Sequence, residues 1–184
     1  EIAAVKFNYA AAAQFYREQA HLLSEALGAD HPDTAASYNR VGVTLDAQGR
    51  AAEAEPFYRR ALDIRERVLG TDHSDTAESY NEVGANLYTQ GRAAEAEPLL
   101  RQALEIRERL LGADHPDTAE SYNDVGANLD AQGRVAEAEP LLRRALEISE
   151  RVLGADHPRT AMSYNNIGFN LDAQGRATEA EPLL

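Results

Sequence analysis

Four aspartate–histidine pairs stand along the chain: Asp30-His31, Asp72-His73, Asp114-His115 and Asp156-His157, each one residue beyond a glycine. A carboxylate beside an imidazole is the donor set of a zinc site or of general acid–base chemistry. Their spacing of 42 residues argues against both. Packed helices stand ~8–10 Å apart, too far for one ion to gather imidazoles from successive units. Each imidazole, with its carboxylate, is expected instead to hydrogen-bond the start of the helix that follows. His21 stands alone and is expected to be exposed. Catalytic constellations are singular, whereas serine, histidine and aspartate recur here at repeated positions. Neither a nucleophile elbow nor a glycine-rich phosphate loop is present. No catalytic, cofactor-binding or metal-ligating residue is assigned, no cofactor is expected, and the chain is expected not to be an enzyme.

The elements that carry these pairs come from an internal repeat. Residues 70–111 and 112–153 differ at nine of 42 positions. A fixed period in this range means stacked units that bury their apolar faces against neighbours. The expected division is residues 1–27 as a degenerate N-terminal cap, 28–69, 70–111 and 112–153 as three full units, and 154–184 as a fourth that stops in its second helix. All belong to one array.

Within residues 28–69, Pro32 and Asp33 suit the first turn of a helix. Tyr38, Val41, Gly42 and Leu45 then fall at i, i+3, i+4 and i+7, which predicts a helix over 34–48 with one apolar stripe. Gly49 ends it. A second helix is predicted over 51–69, with Ala54, Phe57, Tyr58, Ala61, Ile64 and Val68 inward and Gly70 as its cap. Pro56, repeated as Pro98, Pro140 and Pro182, removes a backbone hydrogen bond. It predicts a mild bend or a later helix start. Glu53 and Glu55 read as solvated helix surface, and Asp46–Arg50, Asp130–Arg134 and Asp172–Arg176 as i, i+4 ion pairs.

Composition narrows the function classes. The formal net charge is −13, from 31 acidic and 18 basic residues, and only Lys6 is a lysine. Such a chain repels phosphate backbones and anionic lipid surfaces, so neither nucleic acid nor a membrane is an expected partner. No apolar run approaches the ~20 residues that span a bilayer. The chain has no cysteine, which removes thiolate chemistry. A cytoplasmic location is expected. Glu1 in place of a methionine points to a fragment or a processed form.

The pattern Tyr38-x-x-Val41-Gly42-x-x-Leu45 followed by Ala54-x-x-x-Tyr58-x-x-Ala61 resembles the tetratricopeptide (TPR) repeat signature. It recurs at Tyr80, Val83, Gly84 and Leu87, at Tyr122, Val125, Gly126 and Leu129, and at Tyr164, Ile167, Gly168 and Leu171. The 42-residue form, with its His-Pro-Asp start, Tyr-Asn-x-Val core and Gly-Arg-x-x-Glu-Ala-Glu-Pro second helix, is similar to the repeats of kinesin light chains. Similar arrays occur in bacterial kinesin-light-chain relatives that accompany bacterial tubulins, and in bacterial proteins fused to nucleotidase or caspase-like modules. The resemblance implies an all-α, TPR-like α-solenoid superhelix of antiparallel helix pairs, with first helices lining a concave groove.

On each first helix the face opposite the buried stripe is expected to meet a partner. It carries Ala36, Asn39, Val43 and Asp46 in the first full unit, then Glu78, Asn81, Ala85 and Tyr88, then Glu120, Asn123, Ala127 and Asp130. The last unit adds Met162, Asn165, Phe169 and Asp172. Asn39, Asn81, Asn123 and Asn165 form a ladder, and an amide with both donor and acceptor can grip an extended peptide backbone. The alternative is that these amides serve neighbouring helix ends or face water. Flanking acids favour a neutral or basic segment of a protein or peptide. Met162 and Phe169 either seat an apolar side chain of a ligand or cover packing at the unfinished end.

Three functions stay open. One is a kinesin-light-chain-like adaptor or accessory of a tubulin-like filament, which rests on the resemblance. Another is a sensor or spacer array of a larger bacterial signalling protein. The third is a scaffold that self-associates through the bare C-terminal repeat at Pro182-Leu183-Leu184.

Overall fold

A computed structural model describes residues 2–183, with side-chain surroundings from residue 11 onward. Every regular element in it is helical: α1 (Ile2–Leu27), α2 (Pro32–Asp46), α3 (Ala51–Leu69), α4 (Ser74–Thr89), α5 (Ala93–Leu111), α6 (Pro116–Ala131), α7 (Val135–Leu153), α8 (Pro158–Ala173) and α9 (Ala177–Ala180), closed by a 3-10 turn at Glu181–Leu183. The predicted second helix over 51–69 is matched end to end by α3, and the first has Pro32 and Asp33 in its first turn as expected but ends at Asp46, two residues short of Gln48. α1 runs through the region expected as a cap and extends to Ile2.

The chain forms two compact units, Glu1–Arg92 and Ala93–Leu184. In the first, α1 packs on α2, α2 on α3 and α3 on α4. In the second, α5 packs on α6, α6 on both α7 and α8, and α7 on α8. Helix pairs stacked in sequence order are the arrangement that the 42-residue period requires.

The stripe residues do what their spacing predicts. Val41, Gly42 and Leu45 on α2 are buried against Ala54, Tyr58, Ala61 and Ile64 on α3, while Tyr38 and Phe57 are half-buried. Val68, expected inward, is exposed, because the last turn of α3 runs past the shorter α2. Gly42 and Gly126 set the helix spacing. A Cβ added to Gly42 would stand 2.7 Å from the Tyr58 ring, and one on Gly126 would stand 2.5 Å from Leu142 Cδ2. Only a residue without a side chain lets the two helices of a pair approach so closely.

Pro56, Pro98 and Pro140 lie inside α3, α5 and α7, so these helices neither start late nor break. Each proline is the sixth residue of its helix and faces solvent. There the lost bond falls on an early carbonyl that water can reach, which keeps the cost low.

Candidate partner-binding face

The connector that carries each aspartate–histidine pair is a capping device. Nδ1 of His31, His73, His115 and His157 accepts the backbone N–H two residues on, at 3.1–3.2 Å, as an N-cap does. The aspartates do not share that work as expected. Asp30 pairs with Arg67 at 2.6 Å, and Asp114 receives Arg144 at 2.7 Å and Arg151 at 2.6 Å, so both carboxylates are taken by arginines on the second helix of their own repeat, α3 and α7. Among the described residues no cluster of histidine and carboxylates could hold a metal ion. A second closure escaped sequence reading. The buried threonines Thr34, Thr76, Thr118 and Thr160 donate their hydroxyls to the carbonyls of Gly28, Gly70, Gly112 and Gly154. The glycine and the threonine six residues later are thus one fastening, visible only once the loop closes.

The charged surface of the second helices also departs from expectation. Glu55 accepts from Arg59 on its own turn, and from Gln90 and Arg92 in the next repeat. Glu97 takes Arg101, Gln132 and Arg134, and Glu139 takes Arg143, Gln174 and Arg176. These glutamates are joints between consecutive repeats. Hydrogen bonds from Arg176 and Gln174 outweigh burial and bring the Glu139 carboxyl down to about 2. Burial pulls Glu55 and Glu97 upward, but the same kinds of donors leave both below the ordinary glutamate value. The expected aspartate–arginine pairs across the turn are replaced. Arg50 turns to Glu53 at 2.6 Å, Arg134 to Glu97 and Glu137, and Arg176 to Glu139 and Glu179.

With those arginines elsewhere, the aspartates meet the next first helix. In the first unit Asp46 Oδ1 accepts Asn86 Nδ2 at 2.9 Å, and the same amide donates to the Ala51 carbonyl at 3.0 Å. In the second unit Asp130 accepts Asn170 at 2.6 Å, which also reaches the Val135 carbonyl at 2.8 Å. Burial raises the carboxyls of Asp46 and Asp130; Asn86 and Tyr58 oppose it at the first, Asn170 at the second.

The asparagine ladder is not uniform. Asn39 is half-buried and donates to Glu82 on α4 at 2.7 Å, while its Oδ1 is buried without a partner. Asn81 is likewise half-buried with an unpartnered Oδ1. Asn123 is 5% exposed, donates to Ser163 Oγ at 2.6 Å and accepts from Asn166 at 3.4 Å. Only Asn165 is exposed. Asn39 and Asn123 therefore span from one first helix to the next. Around them Glu78 pairs with Arg65 at 3.1 Å, and Glu120 lies 3.4 Å from Arg159. Tyr88, Met162, Phe169 and Asp172 are exposed, and so is Val43. What the first helices leave open in each unit is thus more apolar than the sequence suggested.

Helix pairs of fixed period, joined by capped glycine loops and repeat-to-repeat polar bridges, define an α-solenoid of helical repeats. The tetratricopeptide repeat pattern matches residues 2–67, 47–109, 75–150 and 129–184, and the chain belongs to the tetratricopeptide repeat family. No curated protein gives a significant match. Among solved structures it is similar to a Podosopora anserina protein described as a kinesin light chain with nearly identical TPR-like repeats, at 24% identity and a TM-score of 0.83, over 97% of this chain and 85% of that one. BtubC (BKLC) from P. vanneervenii is similar at 24% identity and a TM-score of 0.84, over 96% and 70% of the two chains. A Rap conjugation gene regulator of plasmid pLS20, in complex with its Phr peptide, is similar at 21% identity and a TM-score of 0.72; 97% of this chain covers 47% of that one. These likenesses establish the repeat fold, with its kinesin-light-chain-like form.

Proposed function

We propose that this chain is a protein-binding scaffold, each of whose two units offers the outward face of its first helices to a protein or peptide segment. One observation carries the reading. On those helices most polar groups are committed to repeat-to-repeat bonds, yet Val43, Tyr88, Met162 and Phe169 stay exposed. Phe169 reaches 64%. Met162 and Phe169 stand two turns apart on one face of α8, and an exposed apolar strip of this kind marks an interaction site. Asn165 and Asp172 stand beside Phe169 on α8 as exposed polar contacts. The net charge of −13 favours a neutral or basic segment. No polar constellation outside the repeat suggests catalysis, so the scaffold acts by holding, in the cytoplasm. Its form is that of a kinesin-light-chain-like adaptor or an accessory of a tubulin-like filament, a reading supported by the fold shared with BtubC.

A second reading is a peptide-sensing array within a larger signalling protein. The Rap regulator supports it, since that fold neighbour holds a peptide. Both readings place the ligand on the same helices. A benzoyl-phenylalanine photocrosslinker at Tyr88 or Phe169 should capture a partner, and the same probe at Arg101 or Glu105 on α5 should not. Capture only from the α5 positions would move the site to the second helices and overturn the proposal. Full-chain affinity should fall at least tenfold in Tyr88→Ala/Phe169→Ala and stay unchanged in Glu105→Ala.

A further inference from the structure

The repeat is broken at one place in three dimensions. Positions 65, 107 and 149 correspond, and they read Arg65, Arg107 and Ser149. Arg65 is 8% exposed and donates to the Asp75 carbonyl at 3.0 Å and to Ser79 Oγ at 2.7 Å. Arg107 makes the same two bonds, to the Asp117 carbonyl at 3.1 Å and to Ser121 Oγ at 2.8 Å. Each arginine fills the space between a second helix and the first helix that follows. Ser149 is too short to do so, and a cavity of about 80 Å³ is left between α6, α7 and α8.

This cavity has no charge to offer a ligand. Glu120 lies 3.4 Å from Arg159, which also holds Asp117 at 2.9 Å, and Asp124 is engaged as well. Asn123 donates to Ser163 and accepts from Asn166. An ion entering here would lose its water and find no free partner, which is costly. What remains is the apolar surface of Pro116 and Met162 over the hydroxyl of Ser149. Ser149 is 2% exposed and makes no hydrogen bond among the described residues. Its hydroxyl does not require a polar ligand. Once covered, it can turn to the Ala145 carbonyl four residues back in α7, as serines inside helices do.

Size then sets the class of side chain. An apolar cavity of ~150 Å³ holds a benzene ring. At about 80 Å³ this one is too small for an aromatic ring and suits a branched aliphatic group.

We propose that this cavity is an anchor pocket for a branched aliphatic side chain, leucine foremost, of the segment that the scaffold binds. The inference rests on the protein-binding reading, because Glu120 and Met162, which line the cavity, belong to the outward faces of α6 and α8. Met162 is shared between the pocket and the apolar strip that ends at Phe169, so the anchor and the strip form one surface. At the corresponding places Arg65 and Arg107 fill the space. A bound segment is therefore read in one register, whereas a strictly repeated surface would read every register alike.

Met162 is the only methionine of the chain, so its methyl resonance reports the pocket directly. The full chain carrying a carbon-13 methionine methyl is titrated with N-acetyl-leucine amide. N-acetyl-phenylalanine amide and N-acetyl-arginine amide are the aromatic and cationic comparisons. A saturable Met162 shift with the leucine amide, and a response severalfold weaker with the other two, is expected. Ser149→Leu fills the cavity from within and should abolish the response. Ser149→Ala removes only the unbonded hydroxyl and should keep it; circular dichroism melts confirm that both variants fold. Equal response to all three amides, a response that Ser149→Leu retains, or none up to the solubility of the leucine amide overturns the pocket. Failure of the wider reading looks different. If the leucine amide shifts Met162 while crosslinkers at Tyr88 and Phe169 capture nothing, the pocket stands and the extended face falls. If the crosslinkers capture a segment whose affinity is unchanged when its aliphatic residues are replaced by alanine, the face stands and the pocket falls.

Discussion

Arg176 places one guanidinium nitrogen against both carboxylate oxygens of Glu139, 2.8 Å from each, and so ties the last intra-repeat loop to the second helix of the repeat before. The bond is charge-assisted, and Gln174 and Arg143 complete it. Glu139→Gln keeps the shape and removes the charge. We expect it to lower unfolding free energy at pH 7 by about 1–2 kcal/mol, toward the low side for charged hydrogen bonds because Arg176 is partly open to water. Urea denaturation followed by circular dichroism measures this, and a loss under about 0.3 kcal/mol would mean that water serves both partners equally well.

The same carboxylate fixes the direction of the acid response. A carboxyl depressed on folding contributes stability that is complete above its unfolded value and disappears as pH falls through its folded value. For Glu139 that window runs from its ordinary value of 4.5 down to about 2, with Glu55 and Glu97 acting in the same sense. Asp46 and Asp130 act oppositely. Burial raises them, so their ionised forms cost stability at neutral pH, and protonation returns it just above the ordinary aspartate value. The wild-type chain should therefore hold or gain slightly on mild acidification and lose stability steeply below about pH 4, while Glu139→Gln loses less over the steep part. Asp46→Asn, which keeps an acceptor for Asn86, should reduce the mild-acid gain and leave the share that Asp130 contributes. A wild-type and Glu139→Gln pair with parallel pH curves would show that this joint does not titrate with folding.

Helix spacing gives a test of packing alone. Gly126→Ala adds a methyl 2.5 Å from Leu142 Cδ2 and 2.6 Å from its Cγ, and Leu142 is fully buried. Alanine gains about 1 kcal/mol in helix propensity, but overpacking costs about 1–3 kcal/mol. The overlap at this site is with a branched carbon held in the core, so the net change is expected to be a loss of about 1–2 kcal/mol. Thermal melts of Gly126→Ala beside the exposed helical substitution Ala136→Gly separate the two contributions, since the latter loses propensity with no clash.

Sequence showed the fold at the level of spacing and hid the site at the level of side-chain commitment. Val41, Gly42 and Leu45 fall inward because helical geometry puts i, i+3 and i+4 on one face, which any 3.6-residue period reveals. Asn39 and Asn123 were readable as a ladder but not as bridges, since their partners Glu82 and Ser163 lie 43 and 40 residues away. Glu55 was read as solvated surface for the same reason: Arg59, one turn on, was visible in sequence, while Gln90 and Arg92 come from the next repeat. Asp46 and Arg50 have the right i, i+4 spacing, but Gly49 ends the helix between them and turns Arg50 toward Glu53.

Capping supplies a prediction that a metal-site reading would not make. His115 Nδ1 accepts the Asp117 N–H at 3.1 Å, so His115→Ala should cost about 1 kcal/mol and His115→Asn much less, because asparagine caps equally well. Added zinc should leave the melting temperature of the wild-type chain unchanged. A zinc-dependent rise that His115→Ala removes would return these histidines to metal chemistry.

The contrast between Arg65 and Ser149 decides whether the buried guanidiniums are structural. Arg65 holds a carbonyl, a hydroxyl and a carboxylate of α4 from a position that is almost wholly enclosed. Arg65→Ala leaves the Asp75 carbonyl and the Ser79 hydroxyl without that donor and opens a space like the one beside Ser149. The expected loss is about 2 kcal/mol, the sum of broken charged hydrogen bonds less the relief of desolvating an arginine. Ser149→Ala removes a hydroxyl that bonds nothing and should change stability by less than about 0.5 kcal/mol. Guanidinium chloride at millimolar concentration should partly restore Arg65→Ala, because the free ion fits the vacated donors' place; potassium chloride at equal ionic strength should not. If Arg65→Ala proved as neutral as Ser149→Ala, the buried arginines would be packing material only.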